Sequence, residues 1–135
     1  MKKLWILCLL AVGFASCDPG DNEYPVFAIG PVDEVEAPAT YRVDSISEFV
    51  VRYSRPNTCH IFNGFYYVAN GDTRTIAVEY MKMNRNDCEV EPNPVYEVPL
   101  RFKPRHSGTY LLKFWTGEDQ NGDDQFIEIE AVVPE

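Results

Sequence analysis

"GTYLLKFWT", residues 108–116, alternates with the two-residue period of a pleated strand: Tyr110, Leu112 and Phe114 fall on one side, Leu111, Lys113 and Trp115 on the other. The ammonium of Lys113 marks the second side as the one facing water. The next run, "QFIEIEAVV" (125–133), repeats the pattern, with Ile127, Ile129, Ala131 and Val133 opposed to Phe126, Glu128, Glu130 and Val132. Upstream, "VYEVPLRF" (95–102) sets Tyr96, Val98, Leu100 and Phe102 inward against Glu97, Pro99 and Arg101. Further out lie "ATYRVDS" (39–45), "SEFVVRYS" (47–54), "HIFNGFYYV" (60–68) and "RTIAVEYMKM" (74–83), all short and rich in β-branched and aromatic residues. Turn-formers separate the runs: Arg55-Pro56-Asn57, Asn70-Gly71-Asp72, Pro92-Asn93-Pro94, Lys103-Pro104 through Gly108, and Asn121-Gly122. About seven strands with such punctuation, and no window with a 3.6-residue period, predict an all-β sandwich without helices. Its inward rows carry many large side chains, each stabilising by roughly 1.5–3 kcal/mol when fully buried.

Length and composition agree with one domain. The chain has 135 residues, 45% of them hydrophobic and 24% charged, enough apolar material for a core and too little charge for a disordered tail. Lys and Arg number 12 against 21 Asp and Glu, a formal charge of −9. That balance repels phosphates in the absence of a basic patch and argues against a nucleic-acid partner.

His106-Ser107-Gly108-Thr109-Tyr110-Leu111-Leu112 resembles the Asp-x-Gly-x-Tyr-x-Cys segment that opens the sixth strand of immunoglobulin domains, with His106 for the aspartate and Leu112 for the cysteine. The resemblance implies an immunoglobulin-like antiparallel sandwich over about 120 residues. It also implies a tyrosine corner at Tyr110, its ring in the core and its hydroxyl bonded to upstream backbone. With Leu112 in place of the cysteine, the inter-sheet disulfide of antibody domains is absent. Such folds host unrelated functions, so nothing about a ligand follows from the fold.

The N-terminus speaks of location. Met1-Lys2-Lys3 is a short basic region, and residues 4–14 form an apolar run too short to span a bilayer and suited to the core of a signal peptide. Phe14-Ala15-Ser16-Cys17 resembles the bacterial lipobox, which is cut before its cysteine; the thiol then receives a diacylglycerol. Phe14 and Ser16 depart from the commoner residues at those places. The resemblance implies residues 1–16 as a lipoprotein signal peptide, Cys17 as the lipidation site, residues 17–25 as an acidic, turn-rich tether, and residues 26–135 as the domain. Acyl chains at roughly 0.8 kcal/mol per buried methylene hold such a protein to the membrane with no transmembrane helix. Removal of Lys2 and Lys3 deepens the negative charge by two.

The acidic segment after Cys17 resembles the outer-membrane and surface-export signal of Bacteroidetes lipoproteins, and as a whole the chain is similar to small lipoproteins of that group with a single Ig-like domain. Outer-membrane anchoring, with exposure at the cell surface, is the expectation. In enterobacteria an aspartate after the cysteine implies retention in the inner membrane instead.

Cys59 and Cys88 remain after such a cleavage. They form an even pair in an oxidising compartment, each in loop-like sequence, and a disulfide between them would close a loop of roughly thirty residues. A catalytic thiol is the other reading, since His60 follows Cys59, but neighbours on a strand point to opposite faces and pair poorly as nucleophile and base. His60 and His106 are too few and too far apart for a zinc site. In "GEDQNGDDQ" (117–125), Asp119, Asn121 and Asp123 alternate like the first ligands of a calcium loop, yet Asp124 stands where a glycine is needed. A hairpin turned by Asn121-Gly122 in a type I′ turn is the favoured reading. No metal, cofactor or catalytic constellation is expected, and the chain is read as a non-enzyme.

The expected binding surface is a sheet face. If the third, sixth and seventh predicted strands share a sheet, Phe62 and Tyr66 join Leu111, Lys113, Trp115, Phe126, Glu128 and Glu130 on its outer side. An aromatic face ringed by charge marks a partner surface, unless the segment around Tyr24 to Val32 or a long loop covers it. The leading expectation is a lipid-anchored envelope protein whose domain binds another protein or serves an envelope assembly. The alternative is a carbohydrate-binding module with Trp115, Tyr66 and Phe62 as the stacking platform.

Overall fold

The computed structural model describes residues 25–135; the expected signal peptide, Cys17 and the expected tether up to residue 24 lie outside the described residues. Eight strands and no helix form among them: β1 (Val26–Gly30), β2 (Glu34–Glu36), β3 (Ser47–Ser54), β4 (His60–Asn70), β5 (Thr73–Lys82), β6 (Val95–Phe102), β7 (Gly108–Glu118) and β8 (Asp124–Val133). Strands β1, β4, β5, β7 and β8 make one sheet, and β2, β3 and β6 make the other. The expected all-β, immunoglobulin-like sandwich is what the chain builds.

Its detail differs from the expectation at the N-terminal end. Residues 39–45 are not a strand. Asp44 sits in the left-handed region at φ 58°, its N–H donates to the Pro104 carbonyl at 2.8 Å, and the Ser45 N–H closes a turn onto Arg42. Tyr41 is nevertheless buried, its ring 6.0 Å from Phe49 and 6.2 Å from Phe102. The hydrophobic signal there was real, but a turn delivers it. Residues 26–36 supply β1 and β2 instead, one strand for each sheet.

Strand β5 is the hub of the larger sheet. Along one edge it pairs with β4 over its whole length, from Thr73↔Asn70 to Lys82↔His60. Its other edge is divided. Residues 73–76 pair parallel with Leu111–Phe114 of β7, and residues 78–82 pair antiparallel with β1. The parallel ladder is the one exception to the antiparallel pattern among the described residues. A parallel pair requires a crossover, and here the chain leaves β5, crosses to the other sheet as β6 and returns as β7. The Val32 N–H donates to the Trp115 carbonyl at 2.8 Å, which ties the β1–β2 link to β7.

The two inner faces meet through aromatic contacts. Phe49 lies 5.8 Å from Phe114, Tyr53 lies 5.9 Å from Tyr80, and Phe102 lies 5.2 Å from Tyr110, ring centre to ring centre. Ile76, Val78, Leu112, Ala131 and Val133 fill between them and are buried, as the alternation of β7 and β8 requires. Tyr110 takes the corner arrangement: its ring is in the core, and its hydroxyl accepts from the backbone N–H groups of Arg105 at 3.0 Å and His106 at 3.3 Å. Those donors would otherwise lack partners at the sharp entry to β7.

On its outer side the smaller sheet is charged. Arg52 stands among Glu34, Glu36 and Glu97 at 3.3, 3.4 and 2.9 Å, pairs that add little stability in water and mark a solvated face.

Gly30 is buried where no side chain would fit. A Cβ at that position would lie 2.0 Å from the Tyr80 ring, whose hydroxyl is fixed by donation to the Ser54 carbonyl at 2.5 Å. The ring has no room to retreat, so Gly30→Ala is expected to cost about 1–3 kcal/mol by overpacking. Chemical denaturation reads this as a lower midpoint at unchanged slope; an unshifted midpoint would contradict the packing described.

Candidate functional site

Strand β4 decides which aromatic side chains reach the surface. Its register against β5 shifts between Phe62 and Gly64, a β-bulge with Gly64 at φ 130°. The extra residue turns the alternation over. Phe62 and Phe65 both pack on the core, Phe62 stacked 5.4 Å from Tyr53 and edge-on 5.5 Å from Phe65, while Tyr66 points outward. The sequence expectation that Phe62 and Tyr66 share the outer face is therefore corrected: Phe62 turns inward and packs, partly buried, against the core.

From Tyr66 a row of side chains crosses the outer face. Tyr66 pairs with Ala77 of β5, and Trp115 of β7 pairs with Phe126 of β8. Between the two pairs lies a shallow depression of about 410 Å³, lined by Ile29, Tyr66, Thr75, Ala77, Trp115, Asp124 and Phe126. Thr75 and Ala77 are short and form its floor; the rings and Ile29 form its walls. The Trp115 indole N–H donates to Asp124 Oδ1 at 2.8 Å, which fixes the ring. Lys113 lies over the Phe126 ring at 4.3 Å and reaches Glu128 at 4.0 Å.

Of the expected binding residues, Tyr66, Trp115 and Phe126 are thus brought together around one depression, Lys113 stands beside it, and Phe62 does not take part. Sequence reading missed Ile29, Thr75, Ala77 and Asp124. The alternation Thr75-Ile76-Ala77-Val78 carries a signal for the floor: two small outward residues in a central strand leave a hollow between bulky neighbours. The segment expected as a possible cover, residues 24–32, joins the sheet edge as β1 from Val26 onward and adds Phe27 and Ile29 to the exposed face.

Other candidate chemistry resolves into structure. Cys59 and Cys88 are joined as a disulfide with their Cα atoms 5.3 Å apart, so Cys59 offers no free thiolate to His60. His60 Nδ1 lies 2.8 Å from Asn57 Oδ1, and burial, helped by Lys82 and Arg55, holds its pKa below the ordinary value. Asp119 Oδ1 accepts the N–H groups of Asn121 at 2.8 Å and Asp123 at 3.0 Å, so this carboxylate organises its own loop. That loop is not the expected type I′ turn: only Gly122 has positive φ, and the Gly122 N–H bonds back to the Asp119 carbonyl at 3.1 Å. The arrangement is a type I turn followed by a left-handed glycine, a common three-residue hairpin connection.

Compared with protein-family models, with curated proteins and with solved structures, the chain finds no match in any of the three.

Beside the disulfide, Arg55 clasps Glu91 with two short hydrogen bonds of 2.6 and 2.7 Å, and the Tyr96 hydroxyl donates to the same carboxylate at 2.7 Å. These donors, Arg55 first, hold the Glu91 carboxyl down from 4.5 to about 2. Because the folded value is the lower one, the stabilisation is complete above about 4.5 and is lost as pH falls through about 2. Glu91→Gln is expected to lower stability at neutral pH and to flatten the acid limb of a stability–pH curve. Parallel curves for both chains would show that the clasp contributes nothing.

Proposed function

We propose that this is a lipid-anchored cell-envelope protein whose β-sandwich presents the outer face of its five-stranded sheet to another protein. The observation that carries the reading is the fixed aromatic depression on an otherwise acidic molecule. Aromatic side chains held by neighbours bury large area at low entropic cost when a partner arrives, and the charged surround supplies orientation. The opposite outer face, built on the Arg52 ion pairs, has no such feature. Lipidation at Cys17 rests on the lipobox resemblance and would leave the domain at the membrane surface, where partners are concentrated.

A carbohydrate ligand is the second reading. The openness of the Tyr66–Trp115–Phe126 face and the Asp124 carboxylate beside Trp115 favour it, since sugars stack on flat rings and bond to carboxylates. The loss of Phe62 from the platform weighs against it.

The expected results are concrete. Cys17→Ala is expected to move the chain from the membrane fraction to the soluble fraction of cells; retention in the membrane would remove the anchor. A photo-crosslinking side chain at Tyr66 is expected to capture one protein partner in intact cells, while the same group at Glu97, on the charged face, captures none. Equal capture at both positions would remove the aromatic face as the docking site. Polysaccharide-dependent change in Trp115 fluorescence without a protein adduct would select the glycan reading.

A further inference from the structure

The free edges of the two sheets are not alike. β1, though apolar, is only five residues long; β2 is three residues long and two of them are glutamates; β6 carries Glu97, Pro99 and Arg101; β8 carries Asp124, Glu128 and Glu130. Short length, proline and charge are among the devices by which sheet edges avoid pairing with other chains, as are bulges, and the one bulge in β4 lies at the start of residues 64–70. Beyond that bulge β4 has none of them over residues 64–70, Gly-Phe-Tyr-Tyr-Val-Ala-Asn, in a chain of formal charge −9. Tyr66, Tyr67 and Val68 are each about 40% exposed there, at 42, 41 and 41%. Among the described residues β4 pairs with β5 alone, and residues 61–70 make no backbone hydrogen bond outside that ladder.

We infer that β4 is a self-pairing edge, through which two copies of this chain join antiparallel along residues 64–70. The stretch is self-complementary. A two-fold axis near Tyr67 sets Tyr66 of one copy opposite Val68 of the other on the outer face, an aromatic against a β-branched residue, and brings no like charges together. An acidic molecule has few surfaces on which a second copy approaches without repulsion, and this uncharged edge is one. The bulge at Phe62/Gly64 ends the pairable stretch on one side and the Asn70-Gly71 turn ends it on the other. Because Tyr66 belongs to both the edge and the aromatic depression, the dimer sets two depressions side by side on one continuous sheet. The pairing itself does not depend on what those depressions bind.

Sedimentation velocity of the purified full chain over a wide concentration range tests it. A dimer of the 15.5 kDa chain is expected to form with rising concentration. Val68→Lys and Val68→Glu are each expected to weaken it by roughly tenfold or more, an equimolar mixture of the two to restore it, and Val68→Thr to keep it. A chain monomeric throughout overturns the inference, whether or not it captures an added extended peptide. So does a dimer indifferent to both charged variants, which would have formed through another surface. Should the charged variants misfold, hydrogen exchange on the unaltered chain decides: protection of amides 64–70 that rises with concentration supports self-pairing, and protection independent of concentration overturns it.

Discussion

Strand β5 is the member on which the larger sheet depends. One of its edges is filled by β4, and the other is shared between β7, running parallel, and β1, running antiparallel. Remove it and the sheet falls into a β7–β8 hairpin and two unpaired strands. Its inward residues Ile76, Val78 and Tyr80 are all buried, and its outward residues Thr75 and Ala77 are the floor of the depression. Small outward side chains in the central strand give the domain a hollow, where bulky ones would give a flat face. One strand therefore supports the core on one side and shapes the candidate site on the other.

Much of this was legible in the residues themselves. The two-residue alternation of β6, β7 and β8 assigns every inward side chain as it is found, because a charged residue on one face leaves the register no freedom. Tyr110 was recognisable from its neighbours, since Gly108 permits the backbone at φ 122° at the first residue of the strand. Three features were not legible. The strands at 26–36 are short and broken by Gly30-Pro31, and β2 reads as an acidic loop because only its pairing with β3 makes it a strand. Residues 39–45 have β-type side chains in a segment that the Asp44 turn bends. The bulge in β4 reversed the facing of Phe62, and Gly64 inside a strand-like run was the available sign of it. Such features are decided by which segments meet in space, and a local pattern does not carry that information.

The distribution of charge gives the domain two different outer faces. Arg52 and its glutamates keep the small sheet hydrated, while the large sheet exposes Phe27, Ile29 and Tyr66 beside the half-buried rings of Trp115 and Phe126. Disulfide, Arg55 clasp and Tyr96 together pin the long link between β5 and β6 against the end of the sandwich, away from that face. Rigidity at one end and an aromatic surface along one side are consistent with the docking role proposed above.

All of this rests on the sorting of aromatic side chains between core and surface. Hydroxyl-radical footprinting of the folded chain, read residue by residue by mass spectrometry, measures that sorting directly. Tyr66 is expected to be modified readily, the half-buried Trp115, Phe126 and Phe62 more slowly, and Phe49 and Tyr110 to stay protected until the chain unfolds. Modification of Phe62 as fast as Tyr66 would show that β4 runs without its bulge, and the depression, the aromatic row and the self-pairing edge would all have to be redrawn.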